Sequence, residues 1–401
     1  MKSHSTADVT VVISTFNRAN FLPEAIESML AQSVRPARIV VVDDGSTDET
    51  PQIVEQYSTT VDYIRKKNGG KSRALNYVLP SIKTEYIWFF DDDDAAYPYA
   101  LEHLLSVLEK SPGLGFAFGS CDLAKSDINL LSTSTRPVPY LYANEPIALQ
   151  RLKLYHDCTI SMSGSLIRTD AIRAVNGLNE KLIRSQDYDL LLRLAAKFDF
   201  AYCGSSVFVV RQHGGLRGSS NTQHPAVDRD KSFAKYNELI GRYLRYELPL
   251  KVFSLEPSSV TREQRNTRNA LINRAWALGP KSPTALAISD LIEAFDVEPS
   301  RSLDNLELKI LEETLSHDFV AYRPTRTLLR LWHLAKSYTG CSALGHLSKG
   351  IYRLGRKQND LVDQTKLTSV AILLFGVSKL GKVVRFFSTR AHLSKNREKR
   401  T

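Results

Sequence analysis

The sequence is poor in cysteine, and this scarcity removes two structural classes at once. Cys121, Cys158, Cys203 and Cys341 lie far apart with no CxxC pair. Neither a disulfide framework nor a zinc cluster is therefore expected, and a reducing compartment suits the chain. A signal-peptide core is missing as well, because residues 1–8 are mostly polar. Near the other end, the apolar stretch Leu367–Val377 is too short to cross a bilayer. Glycine does not occur before Gly45, which takes the G-x-G-x-x-G dinucleotide signature out of the first strand–helix turn. Asn68-Gly69-Gly70-Lys71-Ser72 resembles the end of a phosphate loop, but Arg65 stands where that signature needs glycine. An ATPase is excluded, and what remains is an amide-rich turn before a helix that can help hold phosphate.

The chain has 401 residues, 43% of them hydrophobic, which predicts a substantial interior and two domains. Its formal charge of +10 is concentrated: residues 366–401 hold nine basic residues against Glu398 alone. With Val383, Val384, Phe386 and Phe387 beside them, these predict an amphipathic tail on an anionic membrane surface. No base-reading motif accompanies the charge, so nucleic acid is not an expected partner. The expected location is cytoplasmic, peripheral on the inner face of the plasma membrane.

Val9–Ser14 and Arg38–Val42 are short β-branched runs without polar alternation, as in strands covered on both faces. Leu22, Ala25, Ile26, Met29 and Leu30 recur between them at helical spacing, with Pro23 suited to a first turn. The alternation continues through strands at 61–64, 86–90 and 114–118 and helices at 72–79 and 99–109. The fold class is therefore α/β, an open mixed, mostly parallel sheet flanked by helices. Beyond Val210 the alternation fades into a predominantly helical C-terminal extension, with helices expected at 284–295 and 325–337. The boundaries read from the sequence are 1–228, 229–365 and 366–401.

Asp91-Asp92-Asp93-Asp94 follows the apolar run Ile87–Phe90. Ligands of open α/β sheets bind beyond the carboxyl ends of the strands, and four adjacent carboxylates there suit a divalent cation carrying a nucleoside diphosphate. A solvated acidic loop is the alternative. Asp43-Asp44-Gly45-Ser46-Thr47-Asp48 follows a second strand, where Asp44 can accept from a base or ribose or can serve an Asx turn. Asp187 opens a helix as either a general base or a cap. His213 follows a strand as a metal or phosphate contact or a structural polar group.

Taken in order, these segments resemble the inverting family 2 glycosyltransferases with the GT-A fold. The resemblance rests on Val11–Arg18, Asp43–Asp48, Asn68–Asn76, Phe90–Asp94 and Pro98, and it covers slightly more than half of the chain. It implies that Thr15 flanks the base, that Asp44 contacts it, and that Asp91 and Asp93 bind nucleotide and metal, with Asp94 assisting. It also implies that Asp187 is the catalytic base, followed by a recurring Arg193, although Gln186 replaces the usual glutamate. Asp189 is expected to be an exposed or capping acid. His213 matches a diphosphate or metal contact, and Ser163 and Gly164 match the border of an acceptor cleft. The implied activity is transfer, with Mn²⁺ or Mg²⁺, of a sugar from a UDP-linked or other nucleoside-diphosphate donor to a glycan or lipid-linked acceptor. A noncatalytic nucleotide-sugar sensor is the alternative.

Overall fold

The structure, a computed structural model, describes residues 6–125, 129–132, 134–212, 229–255, 263–280, 284–299, 301–314, 343–349 and 352. It divides into two compact units, residues 1–154 with 158–236, and residues 155–157 with 237–401.

The first unit alternates strand and helix where β-branched runs alternate with helical apolar spacing. It begins with β1 (Thr6–Thr15), α1 (Leu22–Leu30), β2 (Arg35–Asp43), α2 (Thr50–Glu55), β3 (Asp62–Arg65), α3 (Lys71–Val78) and β4 (Tyr86–Asp91). It continues with β5 (Ala95–Ala96), α4 (Ala100–Lys110), β6 (Leu114–Ala124), β7 (Arg136–Val138) and α5 (Ile147–His156). The last elements are β8 (Ser165–Arg168), α6 (Thr169–Ala174), α7 (Gln186–Lys197) and β9 (Asp199–Arg211). The sheet order is β3-β2-β1-β4-β8-β6-β9-β5, with β7 paired to β6. The sheet is mixed and mostly parallel: β3, β2, β1 and β4 run parallel, as do β6 and β9, while β8 lies antiparallel between β4 and β6.

Burial explains the central strands. Val11, Val12 and Ile13 of β1 and Ile87, Trp88, Phe89 and Phe90 of β4 are almost fully buried, which matches runs apolar on both faces. Trp88 packs edge-on to Phe90 at 5.6 Å, and its indole N–H donates to the Ser163 carbonyl at 2.7 Å. Each such side chain contributes about 1.5–3 kcal/mol of burial. Register then determines where the site lies. Thr15 pairs opposite Asp43 and Ser14 opposite Asp91, so the carboxyl ends of β1, β2 and β4 share one edge of the sheet.

The second unit is helical over its described residues: most of α8 (Arg229–Tyr246), with α9 (Glu263–Leu278), α10 (Thr284–Val297) and α11 (Asn305–Thr314). The Pro280–Pro283 stretch separates α9 from α10. A reciprocal capping box starts α11: Glu307 N–H donates to Asp304 Oδ1 and Asp304 N–H to Glu307 Oε2, both at 2.9 Å. Arg274 grips Asp290 through two hydrogen bonds of 2.8 Å, and Arg245 Nε approaches the same carboxylate at 3.0 Å. Among the described residues, no helix is long and apolar enough to cross a membrane, and Cys121, Cys158 and Cys203 are free. The helix expected at 325–337 and the basic tail lie outside the described residues.

Candidate active site

The acidic tetrad forms the turn between β4 and β5. One oxygen each of Asp91, Asp93 and Asp94 lies within 4.8 Å of the others. Asp94 is buried, and its carboxyl is held well above the usual range by burial first and by Asp93 and Asp91 next, against the Arg211 amide and Lys71. Asp92 stands outside this trio. Burial first, then Asp93, pushes it up to about 7, with Arg18 opposing. Converging carboxylates are hard oxygen donors whose mutual repulsion a divalent cation relieves, so the residues present fit such an ion.

Arg211, at the end of β9, fixes the turn. It is 1% exposed, and its backbone N–H donates to Asp94 Oδ1 at 3.2 Å while Nε donates to the Asp93 carbonyl at 3.1 Å. Its guanidinium pairs with Glu24 and lies 4.8 Å from the Phe21 ring centroid. Arg18 Nη1 is 3.9 Å from Asp93 Oδ2. Sequence reasoning assigns Arg211 no role; the available signal is an arginine closing a buried strand.

The turn before α3 lies against both acidic segments. Asp44 accepts from Lys66 Nζ at 2.7 Å, from Gly69 N–H at 2.9 Å and from Gly70 N–H at 2.6 Å. The Asp44 carboxylate therefore ties down the Gly-Gly turn, and two amides expected to face phosphate are engaged by it. Asp43 has no free role either: it is buried and accepts from Ser46 N–H at 2.8 Å and Tyr63 O–H at 2.5 Å. Gly70 takes φ 94°, which favours glycine. Next comes Lys71, whose Nζ donates to Asp91 Oδ1. Burial opposes its charge, but Asp91, Asp187 and Asp93 together raise the Lys71 pKa above its ordinary value. Lys71 thus pairs with the acidic turn and feels the charge of Asp187, in the first turn of α7, and the sequence reading gives this lysine no role of its own.

A second clamp holds α7. Arg193 Nη1 donates to the carbonyls of Val175 at 2.6 Å and Gly177 at 2.8 Å, and Nε donates to Asp189 Oδ2 at 2.8 Å. From α3, Asn76 Nδ2 donates to the Leu178 carbonyl and its Oδ1 accepts from Leu178 N–H, both at 2.9 Å. Gly177 has φ 66°, and a Cβ there would sit 2.6 Å from Asn76 Oδ1. Asp189 corrects an expectation. It is 4% exposed, neither a surface acid nor a cap, and burial raises its pKa despite Arg193.

Thr15 is buried at the end of β1, where its side chain hydrogen-bonds to the Asp92 carboxyl and favours its charged form; Ser72 Oγ, in the first turn of α3, has no hydrogen-bond partner among the described residues. Ser163 and Gly164 lie beneath the surface rather than exposed to a cleft. Ser163 is 1% exposed, and a Cβ on Gly164 would come within 2.9 Å of Phe208 Cε1. His213 lies outside the described residues.

Residues 10–175 match the family model described as glycosyl transferase family 2. An uncharacterized glycosyltransferase of Rickettsia felis is 32% identical over 198 residues, 46% of this chain and 31% of that protein. Chondroitin synthase of Pasteurella multocida is 27% identical over 242 residues, 58% of this chain and 23% of that protein. The chain thus spans less than a third of the length of these two curated relatives. The crystal structure of S. aureus TarS 1-349 is similar with a TM-score of 0.48 at 17% identity, over 73% of this chain and 90% of that one.

Proposed function

We propose that the chain is an inverting glycosyltransferase that moves a sugar from a nucleoside-diphosphate donor, UDP-linked in the first instance, to a hydroxyl of a glycan or lipid-linked saccharide. The observation that supports this reading is the cluster of Asp91, Asp93 and Asp94 at the carboxyl end of β4, with Lys71 donating to Asp91 and feeling the charge of Asp187. Asp187 accepts the proton of the attacking hydroxyl, which is a weak nucleophile while it keeps that proton. Asp91 and Asp93, helped by Asp94, hold Mn²⁺ or Mg²⁺; when bound, the ion offsets charge on the departing diphosphate. Thr15, buried at the end of β1, and Asp44 receive the base. Asp44 shares its carboxylate with the Gly69 and Gly70 amides as it does so. His213 contacts the diphosphate or the metal, and Ser163 and Gly164 support the acceptor cleft from below.

Residues 1–228 carry the chemistry, 229–365 form the helical extension, and 366–401 dock on an anionic membrane surface from the cytoplasmic side. The test is turnover of UDP-, GDP- and TDP-sugars by the full chain over an acceptor library, with the anomeric configuration of the product read by NMR. A product of retained configuration would overturn inversion. Donor binding without turnover on any acceptor would favour a nucleotide-sugar sensor instead.

A further inference from the structure

Lys71 sits where charge alone disfavours it. It is the first residue of α3, where the positive end of the helix repels a cation, and its side chain is only 26% exposed. It stays charged because of its acidic neighbours: Nζ donates to Asp91, and Asp187 and Asp93 add to the attraction. Asp91 also belongs to the trio whose oxygens lie within 4.8 Å of one another. The Asp91 oxygen that faces Lys71 cannot serve the ammonium and a divalent cation from the same side.

The backbone beside Lys71 is fixed. Gly69 and Gly70 amides are committed to Asp44, and Asn68 Nδ2 donates to the Asp44 carbonyl at 2.8 Å. Any rearrangement therefore falls to the lysine side chain, a flexible four-carbon stem ending in a point charge suited to phosphate.

We propose that Lys71 is an exchangeable internal counter-ion: it holds Asp91 in the ion-free protein and moves to the nucleotide diphosphate when a divalent cation is loaded, so that cation and nucleotide bind cooperatively. This rests on the glycosyltransferase reading above. In the ion-free state Lys71 masks the carboxylates, so the cation alone binds weakly. A diphosphate draws Lys71 away and frees Asp91, and linkage requires the effect to be equal in both directions.

Calorimetry on the full-length chain tests the exchange, with Mn²⁺ alone, UDP alone, and Mn²⁺ at saturating UDP, for the wild type, Lys71→Met and Lys71→Arg. In the wild type, UDP should tighten Mn²⁺ binding by more than about tenfold. Lys71→Met should bind Mn²⁺ alone about tenfold more tightly than the wild type and show about tenfold less coupling, the remainder being direct attraction between cation and diphosphate, while Lys71→Arg retains the wild-type coupling. Mn²⁺ affinity in Lys71→Met that is equal to or weaker than wild type, or coupling there that is undiminished, overturns the exchange alone. Absence of Mn²⁺ binding to either protein, even with UDP, overturns the metal reading and the exchange with it. If Lys71→Met does not fold, thermal shifts of the wild type decide: stabilisation by Mn²⁺ plus UDP must exceed the two separate shifts combined, and simple additivity overturns the proposal.

Discussion

Two groups of buried or half-buried charge in this chain are built on opposite plans. In the helical unit, Asp290 is met by Arg274 and Arg245, and Glu307 by Arg268 and Arg301. At the strand ends, Asp91, Asp93 and Asp94 converge with Asp187 and Asp92 nearby, facing Lys71 on Asp91 and Arg18 at 3.9 Å from Asp93. In the first plan acids are saturated by arginine forks, which fixes helices; in the second, acids outnumber cations, which leaves an electrostatic demand that a ligand can meet. The position of uncompensated charge, more than its amount, separates a site from a structural ion pair.

The largest expected effect comes from removing the carboxylate proposed as the base. Asp187→Asn should lower turnover roughly 10²–10⁴-fold with UDP affinity nearly unchanged. Single-turnover kinetics and UDP titration check this, after circular dichroism confirms folding. Equal losses in both would make Asp187 a binding residue.

The comparison is sharpest where the same kind of deletion should have opposite signs. Asp290→Ala strands Arg274 and Arg245, whose side chains are 5% and 22% exposed, and should destabilise the helical unit by about 3–5 kcal/mol, read by urea unfolding. Asp94→Asn removes one of three repelling carboxyls while keeping an acceptor for the Arg211 amide. Without metal at neutral pH it should stabilise the fold by about 1 kcal/mol, while losing stabilisation by Mn²⁺. Destabilisation by Asp94→Asn would mean that the acidic turn is as well compensated as the arginine clusters.

The smallest effect is a pH slope. Asp189 titrates above its ordinary value of 3.8 in the folded chain because burial outweighs the help of Arg193, so folding takes up a proton. Its contribution should therefore be most favourable below the unfolded pKa, decline as pH rises from there through the folded value, and level off above. Subtracting the Asp189→Asn stability curve from that of the wild type isolates it; a difference that rises with pH over that window would reverse the assignment.

Much of the fold was legible because its signals are local. The β-branched runs at Val9–Ser14 and Arg38–Val42 fall inside β1 and β2, the apolar spacing from Leu22 marks α1, and the proline pair at 280 and 283 separates α9 from α10. The acidic turn was legible for the same reason, as a charge cluster after an apolar run. What stayed hidden depends on distant pairing. Lys71 acquires meaning only beside Asp91 and Asp187, Arg211 only beside Glu24 and Asp93, and Asp189 only once Arg193 is seen to turn inward to the Val175–Gly177 carbonyls. A burial pattern can indicate that Asp189 is on a helix, but not that its partner also holds a loop.

That loop has a mechanical consequence. Asn76 and Arg193 grip the same short turn from two helices. Lys71 lies five positions before Asn76 and Asp187 six before Arg193, so at 1.5 Å per residue the lever arms are roughly 7.5 Å and 9 Å. The turn is a common fulcrum, and the spacing between Lys71 and Asp187 is set there, away from both. Inserting one residue within 175–178 would swing the two arms apart while leaving every acidic side chain in the sequence.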